Sequence, residues 1–492
     1  MITVTKKDEC HILIDTDPST AKEIVEFFTF EVPGAKFMPA YRNRMWDGKA
    51  RMFNMYTREL YVGLLDYLVE FCEQLEYKID IKIDKVGEEG TIDQVSKFTE
   101  SLNLHSQGKQ IAIRDYQLEA VTHAINNGRS LLLSPTASGK SLIIYSLLRY
   151  HQAHGRKQLI IVPTTSLVEQ MWGDFNDYSS EDKWQANKFC HKIYGGKDKT
   201  NKAAVIISTW QSIYKFPKSW FEEFDVVYGD EAHNFKAKSL TTLLDKMVNT
   251  PYRYGTTGTL DGTKTHRLVL EGVFGRVYKV TTTKKLMDSK QLAELKIVCL
   301  LLEYSDAQRK LVSKMPYQEE MDWLVTNPQR NKIITNLTIA QTGNTLVLYQ
   351  FVEKHGAVLH KMISERVNSE RMVFFVHGGT DTEQREEIRH LTETQKDAII
   401  IASYGTFSTG INIRNLHNVV FASPSKSRIR NLQSIGRGLR KGNQKEACNL
   451  FDVGDDLSWK SKKNFTLNHM LERIKIYNEE SFNYKIAKVE VK

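Results

Sequence analysis

The stretch SPTASGKS, residues 134–141, has the residue types and spacing of a phosphate-binding loop. It follows the apolar run SLLLS and precedes the helical segment SLIIYSLLRY, which is the strand-to-helix setting that such a loop requires. Backbone N–H groups point at phosphates there, while Gly139 permits close approach, Lys140 neutralises charge and Ser141 can ligate Mg²⁺. Ser134 departs from the usual pattern, which has glycine at this position. The residues predicted to bind the nucleotide are Pro135, Thr136, Ala137, Ser138, Gly139, Lys140 and Ser141.

An acidic pair stands at the end of a second apolar run, DVVYG, in the sequence DEAH at residues 230–233. Carboxylates at the carboxyl end of a strand, in the same sheet as a phosphate-binding loop, are what ATP hydrolysis needs. Asp230 can hold Mg²⁺ while Glu231 polarises the attacking water, and His233 completes the predicted catalytic set. An acidic pair that only starts a helix is the alternative, but the phosphate-binding loop upstream favours the catalytic interpretation.

Two series of short apolar runs, each run followed by a helical segment, predict two α/β domains with parallel sheets. The first series contains SLLLS, QLIIV, AVIIS and DVVYG, and the second contains TLVLY, MVFFV, AIIIA, VVFA and CNLFD. The first hundred residues instead mix short strands with an amphipathic helix. We predict an α/β protein with a small α+β N-terminal accessory domain at 1–98, parallel-sheet domains at 99–288 and 289–457, and a C-terminal basic helical tail at 458–492.

Charge and cysteine content narrow the class of protein. The formal net charge of +9 and the sequence pI of 9.0 favour a polyanionic partner, because lysines and arginines set against phosphates release condensed counterions. The 5 cysteines are odd in number and scattered, which argues against a disulfide framework or a zinc ribbon. Apolar runs are far shorter than the roughly 20 residues of a membrane span, and the N-terminus lacks a signal-peptide pattern. We therefore expect a cytoplasmic protein with no membrane association.

Further stretches resemble the motifs of superfamily-two helicases and follow one another in the order of that family. They are IRDYQLEA (113–120), IIVPTTSLVEQ (160–170), YGGK (194–197), ISTWQS (207–212), TTGTL (256–260), TLVLYQFVEKHG (345–356), ASYGTFSTGINI (402–413) and QSIGRGLR (433–440). The resemblance implies two RecA-like motor domains that use ATP and Mg²⁺, with Ser141 and Asp230 as the metal-binding residues.

The same resemblance assigns roles to residues outside the phosphate-binding loop. Gln117 would read the adenine edge with Arg114 nearby, and Gly410 and Asn412 would also contact the nucleotide. Gln433, Arg437 and Arg440 would act on the γ-phosphoryl group, the two arginines as arginine fingers. The small hydroxyl residues and glycine that would line the strand groove are Thr164, Thr165, Gly195, Thr209 and Thr409.

The segment MPAYRNRMWDGKARMFNMYTRELY, residues 38–61, alternates basic and aromatic residues. Such a surface can pair with phosphates and stack on bases, so we predict nucleic-acid contacts from Arg42, Arg44, Trp46 and Lys49. A hairpin with an aromatic core and a solvated basic face is the alternative. The segment resembles the accessory domain of the UvsW-like helicases of T-even-like bacteriophages, and that resemblance extends from FFTFE near the N-terminus to FNY near the C-terminus.

This closer resemblance implies an ATP-dependent 3′–5′ DNA helicase. Its substrates would be forks, Holliday junctions and R-loops in phage recombination, repair and replication, with strand annealing as a further activity. The expected partners are single-stranded and branched DNA and the RNA of R-loops, bound by a monomer in the host cytosol. A duplex translocase and an RNA helicase are alternatives of the same motor class. An annealing protein with a vestigial nucleotide site, or the motor of a restriction nuclease, is disfavoured, since the ATP-site residues are all present and no nuclease cluster is evident.

Overall fold

The computed structural model of the chain describes residues 1–195, 202–236, 238–410, 413, 415–439 and 447–492, with the backbone alone at 236, 238–240, 382, 386, 408–410 and 429. These residues divide into two compact units. The first unit contains Met1–Ser134 and Gly139–Thr281, and the second contains Pro135–Ser138 and Thr282–Lys492. Within the described ranges, no helix is both long enough and apolar enough to cross a bilayer.

The accessory domain at the N-terminus is built on a mixed five-stranded sheet in the order β5-β6-β2-β1-β7. Its elements are β1 (Ile2–Lys6), β2 (His11–Asp15), α1 (Pro18–Phe27), β3 (Thr29–Glu31), α2 (Pro39–Arg42), β4 (Lys49–Arg51), β5 (Phe53–Asn54), β6 (Glu59–Tyr61), α3 (Leu65–Gln74) and β7 (Ile79–Lys82). Strands β3 and β4 form a separate antiparallel pair. Alternate residues of β1 and β2 are buried against α1 and α3, as expected for a sheet covered on one face.

The rest of the first unit contains a seven-stranded parallel sheet in the order β12-β13-β11-β14-β15-β10-β16. Its elements are α4 (Ile92–Ser101), β8 (His105–Ser106), β9 (Lys109–Gln110), α5 (Asp115–Asn127), β10 (Arg129–Leu133), α6 (Lys140–Ala153), β11 (Gln158–Val162), α7 (Thr165–Tyr178), α8 (Ala186–Phe189), β12 (Cys190–Ile193), β13 (Val205–Thr209), α9 (Trp210–Ile213), α10 (Lys218–Phe221), β14 (Val226–Asp230), α11 (Lys238–Leu244), β15 (Tyr252–Thr257), α12 (Lys264–Phe274) and β16 (Val277–Lys279).

The central strands of this sheet are buried on both faces. In β11, Ile160 and Val162 belong to one hydrophobic cluster, whereas Leu159 and Ile161 belong to another. Successive side chains of a strand point to opposite faces, so the two clusters are the layers of helices that cover the sheet. This double coverage explains why the apolar runs of the sequence are continuous and not alternating.

The accessory domain packs directly on α12 of the first unit. Leu268 is buried in the hydrophobic core of the accessory domain, and the Tyr67 hydroxyl donates to Glu271 at 2.7 Å. Gly63 lies so close to the helix that a Cβ atom there would be 2.0 Å from the Glu271 carbonyl oxygen. The Arg129 side chain, which is 8% exposed, adds a hydrogen bond to the Glu9 carboxylate at 2.8 Å. The accessory domain is therefore joined to the parallel sheet by apolar, polar and backbone contacts together.

The second unit also contains a seven-stranded parallel sheet, in the order β19-β20-β18-β21-β22-β17-β23. Its elements are α13 (Thr283–Asp288), β17 (Glu294–Glu303), α14 (Asp306–Val312), α15 (Tyr317–Thr326), α16 (Pro328–Ile339), β18 (Thr345–Tyr349), α17 (Ala357–Ser364), β19 (Val373–Val376), α18 (Thr382–Thr394), β20 (Ile399–Ser403), α19 (Tyr404–Gly410), β21 (Asn418–Phe421), α20 (Arg428–Gly438), β22 (Ala447–Asp456), α21 (Phe465–Glu479) and β23 (Tyr484–Glu490).

The C-terminal segment is more than the helix that the sequence indicated. Helix α21 packs on β22 through Arg473, which is buried and bonded to both carboxylate oxygens of Asp452 at 2.9 Å. The chain then returns as β23, whose residues pair with β17 along the edge of the sheet. Strand β23 has the sequence YKIAKVE, and such lysine-bearing, largely exposed strands are typical of sheet edges. The C-terminal segment therefore completes the second sheet.

The predicted fold class is confirmed, since two parallel α/β sheets accompany a small α+β N-terminal domain. The four segment boundaries stay predictions.

Candidate nucleotide and nucleic-acid sites

The phosphate-binding loop leaves the carboxyl end of β10 and enters α6 at Lys140. Gly139, the residue before that helix, has a φ of +82°, and a Cβ atom there would lie 2.3 Å from the Gln117 amide nitrogen. Only glycine fits this backbone conformation and this close approach. Ala137 also has a positive φ, of 67°. Two left-handed residues within one short loop turn successive N–H groups inward, which is the geometry of an anion-binding nest.

Gln117 lies beside the start of this helix and is bonded to Arg114, and both residues stay predicted contacts for the adenine side of the site. The buried Gln117 side chain accepts a hydrogen bond from the Arg114 backbone N–H at 3.0 Å and directs its amide nitrogen at the Gly139 carbonyl oxygen, 3.5 Å away. The Arg114 guanidinium contacts the Tyr116 hydroxyl at 2.8 Å. The backbone groups of Arg114 and Gly139 therefore hold the two ends of the Gln117 side-chain amide in one orientation.

Asp230 and Glu231 lie at the carboxyl end of β14, and Lys140 faces them. The Lys140 ammonium is 4.0 Å from a Glu231 carboxylate oxygen, and Asp230 accepts a hydrogen bond from the Thr256 hydroxyl at 2.7 Å. Burial and the adjacent Glu231 carboxylate raise the pKa of Asp230 to about 6, whereas Lys140 and Thr256 act in the opposite direction. Two carboxylates held side by side carry more negative charge than the single Lys140 ammonium balances, and a divalent cation can offset the remainder.

These features fit Mg²⁺. The donors at the carboxyl edge are hard oxygen ligands, which Mg²⁺ prefers, and the phosphates of a nucleotide would complete its coordination. Ser141, the other predicted ligand, has its hydroxyl 2.9 Å from the Tyr178 hydroxyl. Sequence reasoning did not identify Tyr178, because its position on α7 gives no signal of proximity to the loop.

His233 connects the acidic pair to the next strand. Its Nδ1 atom lies 3.0 Å from the Thr257 hydroxyl on β15 and 3.3 Å from a Glu231 carboxylate oxygen. Thr257 belongs to TTGTL, the stretch that the sequence analysis recognised as a separate motif, and its hydroxyl also donates to the Thr259 carbonyl at 2.9 Å. The structure therefore brings the two motifs into one hydrogen-bonded group.

His266 is a further member of this group that the sequence analysis missed. Its Nε2 atom lies 3.1 Å from the His233 carbonyl oxygen, and its Nδ1 atom lies 2.9 Å from the Asp261 carboxylate. The residue belongs to α12, the same helix that packs on the accessory domain. A histidine in an amphipathic helix gives no sequence signal of such a contact, so only the fold reveals it.

The candidates for strand contacts lie at the same edge of the sheet as the acidic pair. Thr164 follows β11, Thr209 ends β13 and Gly195 follows β12, and these three parallel strands are neighbours. Thr164 caps α7 by accepting from the Leu167 N–H at 3.3 Å, while Thr165 is exposed at the first position of the helix. The Thr209 hydroxyl lies 2.9 Å from that of Ser212. The ends of β12, β13 and β11 thus carry the predicted strand contacts, and the neighbouring end of β14 carries the acidic pair.

The candidates in the second unit lie on α19 and α20. Gln433 and Arg437 are half-buried on α20, and the Arg437 guanidinium lies 5.6 Å from the centre of the Phe407 ring. Gly410 is the last residue of α19. Asn412 and Arg440 lie outside the described residues, as does the side chain of Thr409.

The basic residues of the accessory domain surround a cavity of about 590 Å³, which we call the aromatic cup. Its lining residues are Lys36, Tyr41, Arg42, Arg44, Met45, Trp46 and Asp47. The predicted residues Arg42, Arg44 and Trp46 are therefore brought together. Lys49 lies on β4 next to the cup, where its carbonyl oxygen accepts from the Trp46 indole N–H at 2.8 Å.

Three family models match separate parts of the chain. Residues 1–84 match the N-terminal domain of the DNA helicase UvsW, residues 110–262 match the res subunit of type III restriction enzymes, and residues 329–442 match the conserved C-terminal domain of helicases. The restriction-enzyme match covers the part of the chain that contains the phosphate-binding loop and the acidic pair.

Similar proteins and structures identify the family more closely than the three family models do. The ATP-dependent DNA helicase uvsW of Enterobacteria phage T4 is 36% identical over 502 residues, covering 98% of this chain and 98% of that protein. The crystal structure of T4 UvsW superposes with a TM-score of 0.53 at 34% identity and covers 100% of both chains. The DNA 3′–5′ translocase XPB2 of Sulfurisphaera tokodaii is 24% identical over 368 aligned positions, and the match covers 68% of this chain and 79% of that protein. The chain therefore belongs to the UvsW family of ATP-dependent DNA helicases and is an ATP-hydrolysing enzyme of helicase superfamily two.

Proposed function

We propose that this helicase moves 3′ to 5′ along DNA and remodels branched DNA, namely forks, Holliday junctions and R-loops, in phage recombination, repair and replication. The observation that carries the proposal is the carboxyl edge of the first sheet. Thr209, Thr164 and Asp230 end or follow the adjacent strands β13, β11 and β14. A structural change caused by ATP binding or hydrolysis therefore has to pass only between neighbouring strands to reach the residues assigned to nucleic-acid contact.

We assign the nucleotide contacts to the residues around the phosphate-binding loop. Residues 136–139 offer backbone N–H groups to the phosphates after Pro135, which has no N–H and sets the course of the loop, and Lys140 places its ammonium on the same anions. Gln117 and Arg114 hold the adenine side. Glu231 accepts hydrogen bonds from the attacking water. His233 contacts both Glu231 and Thr257, so a shift of Glu231 on hydrolysis is transmitted to β15.

Ser141 and Asp230 would hold Mg²⁺, which when bound neutralises charge on the β- and γ-phosphates. For this role the Ser141 hydroxyl would have to leave the Tyr178 hydroxyl, and Asp230 would be held ionised by the Lys140 ammonium and by the hydrogen bond from Thr256.

Arginines of the motif QSIGRGLR would supply positive charge for the transition state. We assign this role to Arg437 and Arg440, with Gln433 as their partner in the same motif and with Gly410 and Asn412 as further nucleotide contacts. An arginine that stabilises the departing γ-phosphoryl charge accelerates hydrolysis by about 10³-fold or more.

The direction and substrate of movement rest on relatives and on the accessory domain. XPB2 is named a DNA 3′–5′ translocase, which supports the same polarity here. Because that name is of a translocase, movement along duplex DNA without unwinding is a second candidate activity, and RNA unwinding is a third. The aromatic cup supports action on branched DNA, because its rings and arginines suit a strand whose bases are accessible. We further propose that the protein works as a monomer in the host cytosol, binds single-stranded DNA and the RNA of R-loops, and anneals complementary strands.

Steady-state ATP hydrolysis tests the proposal when it is measured with single strands, plain duplex, forks, four-way junctions and RNA at one salt concentration. We expect forks and junctions to stimulate hydrolysis more than duplex or single strands. Equal stimulation by plain duplex would favour the translocase, and stimulation by RNA alone would overturn the assignment to DNA. Glu231→Gln serves as the control for contaminating ATPases.

A further inference from the structure

The aromatic cup has the composition of a base-binding site and not of a simple phosphate-binding surface. Tyr41 and Trp46 line it together with two arginines, and its volume of about 590 Å³ lies within the range of pockets that enclose small ligands. A surface that bound only the phosphate backbone would need neither a concave shape nor aromatic walls. A base-paired nucleotide cannot enter, because both faces of its base are covered by stacked neighbours.

The walls of the cup are held in place before any ligand binds. The Trp46 indole N–H donates to the Lys49 carbonyl at 2.8 Å, which fixes the ring against β4. The Tyr41 ring packs on Gly48, where a Cβ atom would lie 3.0 Å from it and where φ is +79°. Side chains that are already ordered lose little conformational entropy on binding, so the arrangement favours ligand capture.

Charge in the cup suits a phosphate on either side of a base. Arg42 and Arg44 are exposed, and neither forms an ion pair with any residue in the described part of the chain. Asp47 is the carboxylate that lines the cup, and it is engaged by the Arg51 guanidinium and by the Lys49 N–H. The hydrogen bond from Arg51 lowers the pKa of Asp47 to about 2, so this pairing persists at neutral pH. The guanidinium groups of Arg42 and Arg44 remain available to a phosphate.

Two exposed apolar side chains belong to the segments that form the cup. Met45 lines the cavity and is 81% exposed, and Phe37, the neighbour of the lining residue Lys36, is 77% exposed. Arg44, which precedes Met45, has a left-handed backbone with φ of 56°. Large apolar groups and a strained residue in an otherwise basic segment are features of ligand-binding sites more than of solvated hairpins.

We propose that the aromatic cup binds one unpaired nucleobase at a DNA branch point, stacking it between Tyr41 and Trp46 while Arg42 and Arg44 hold the flanking phosphates. This inference rests on the proposed action on branched DNA. It adds a means of recognition, because a branch point exposes unpaired bases and a continuous duplex does not. The cup would therefore distinguish forks from duplex DNA without reading sequence.

The test compares forks that differ only in the unpaired nucleotides next to the branch, which carry a base in one fork and are abasic in the other. We expect the full-length wild-type protein to bind the base-containing fork about ten-fold more tightly, as stacking of one base on aromatic residues implies. Trp46→Leu should remove this difference, and Trp46→Phe should restore most of it. Tyr56→Leu is the matched control, since Tyr56 is a 96% exposed aromatic residue of the same domain outside the cup.

Equal binding of the two forks by the wild-type protein would overturn the cup proposal. A difference that persists in Trp46→Leu would also overturn it, because the base would then be recognised elsewhere. Either result leaves the proposed function intact provided that forks still stimulate ATP hydrolysis more than duplex does. Loss of that preferential stimulation in the wild-type protein would instead contradict the proposed function itself.

Discussion

At the scale of single residues, the proposed ATP site contains two adjacent carboxylates that repel one another. Asp230 and Glu231 are adjacent at the end of a buried strand, and Lys140 reaches Glu231 at 4.0 Å. Such a pair is unfavourable in the folded protein without a ligand, and it becomes favourable when a cation and a nucleotide bind. Binding of the cation and the nucleotide therefore relieves an electrostatic repulsion that is present in the free protein, and this relief contributes to the binding free energy.

Removal of the negative charge of Asp230 should raise the stability of the free protein, although the same residue is assigned to Mg²⁺ binding. Above pH 6 the ionised Asp230 destabilises the free protein, because its pKa is raised from 3.8 to about 6 on folding. Asp230→Asn should accordingly raise the free energy of unfolding on the order of 2 kcal/mol at pH 8, and the gain should vanish as pH falls through the range from 6 to 3.8. Urea unfolding without nucleotide or Mg²⁺ measures this change. A variant less stable than the wild type at pH 8 would contradict the electrostatic explanation.

Catalysis should fail when the residues assigned to the hydrolysis step are changed. Glu231→Gln and Lys140→Ala should each lower kcat for ATP hydrolysis by about 100-fold or more, since one removes the water-orienting carboxylate and the other a phosphate contact. Glu222→Gln, a change on the surface of the same unit, should have no effect. Wild-type turnover in either site variant, with a normal circular dichroism spectrum, would refute the assignment.

At the scale of elements, α12 joins the accessory domain to the acidic pair. The helix contributes Leu268 to the accessory core, and its His266 contacts the carbonyl oxygen of His233 at 3.1 Å. The helix thus touches both the domain that carries the aromatic cup and the segment that directly follows Asp230 and Glu231.

His266 should act as a positioning residue for hydrolysis. His266→Ala removes the contact with the His233 carbonyl, so we expect kcat to fall several-fold while KM for ATP stays unchanged, because no nucleotide contact is lost. His266→Gln can restore a donor near the position of Nε2 and should recover much of the rate. A fall in kcat with no recovery in the glutamine variant would indicate a packing role only.

The C-terminal segment should be required for the stability of the second unit. Arg473→Leu leaves the buried Asp452 without its charged partner, which we expect to lower the free energy of unfolding by about 3–5 kcal/mol. Replacing Asp452 as well, in Arg473→Met with Asp452→Leu, should recover part of the loss. Urea titration of the three proteins measures both effects. An Arg473→Leu protein as stable as the wild type would show that the segment is dispensable.

The positions of the strand ends and loops could be predicted from the sequence, but the contacts between distant segments could not. The turn from β10 to α6 and the position of Asp230 followed from apolar runs and glycine placement, because these features are local. The sequence did not predict the contact of Ser141 with Tyr178 or that of His266 with the His233 carbonyl. It also did not predict the pairing of β23 with β17. These depend on packing between segments far apart in the chain, for which periodicity and spacing carry no information.

At the scale of the whole molecule, the chain combines an ATP-hydrolysing helicase with an accessory domain that is docked on the first parallel sheet. The docking contacts run from Glu9 and Arg129 to Tyr67 and Glu271 and are largely buried. An accessory domain attached in this way moves with the first sheet and does not act as a tethered module. We therefore expect DNA bound in the aromatic cup to be carried by the motor as it advances.

The most direct test of the central claim is the rate of ATP-dependent unwinding of a fork, compared with a partial duplex bearing only a 3′ or only a 5′ single-stranded tail. The proposed function predicts that the fork is unwound fastest, that the 3′-tailed duplex is unwound faster than the 5′-tailed one, and that Glu231→Gln unwinds none of the three. Equal rates on both tailed substrates, or no preference for the fork, would contradict the proposal of a 3′–5′ helicase that remodels branched DNA.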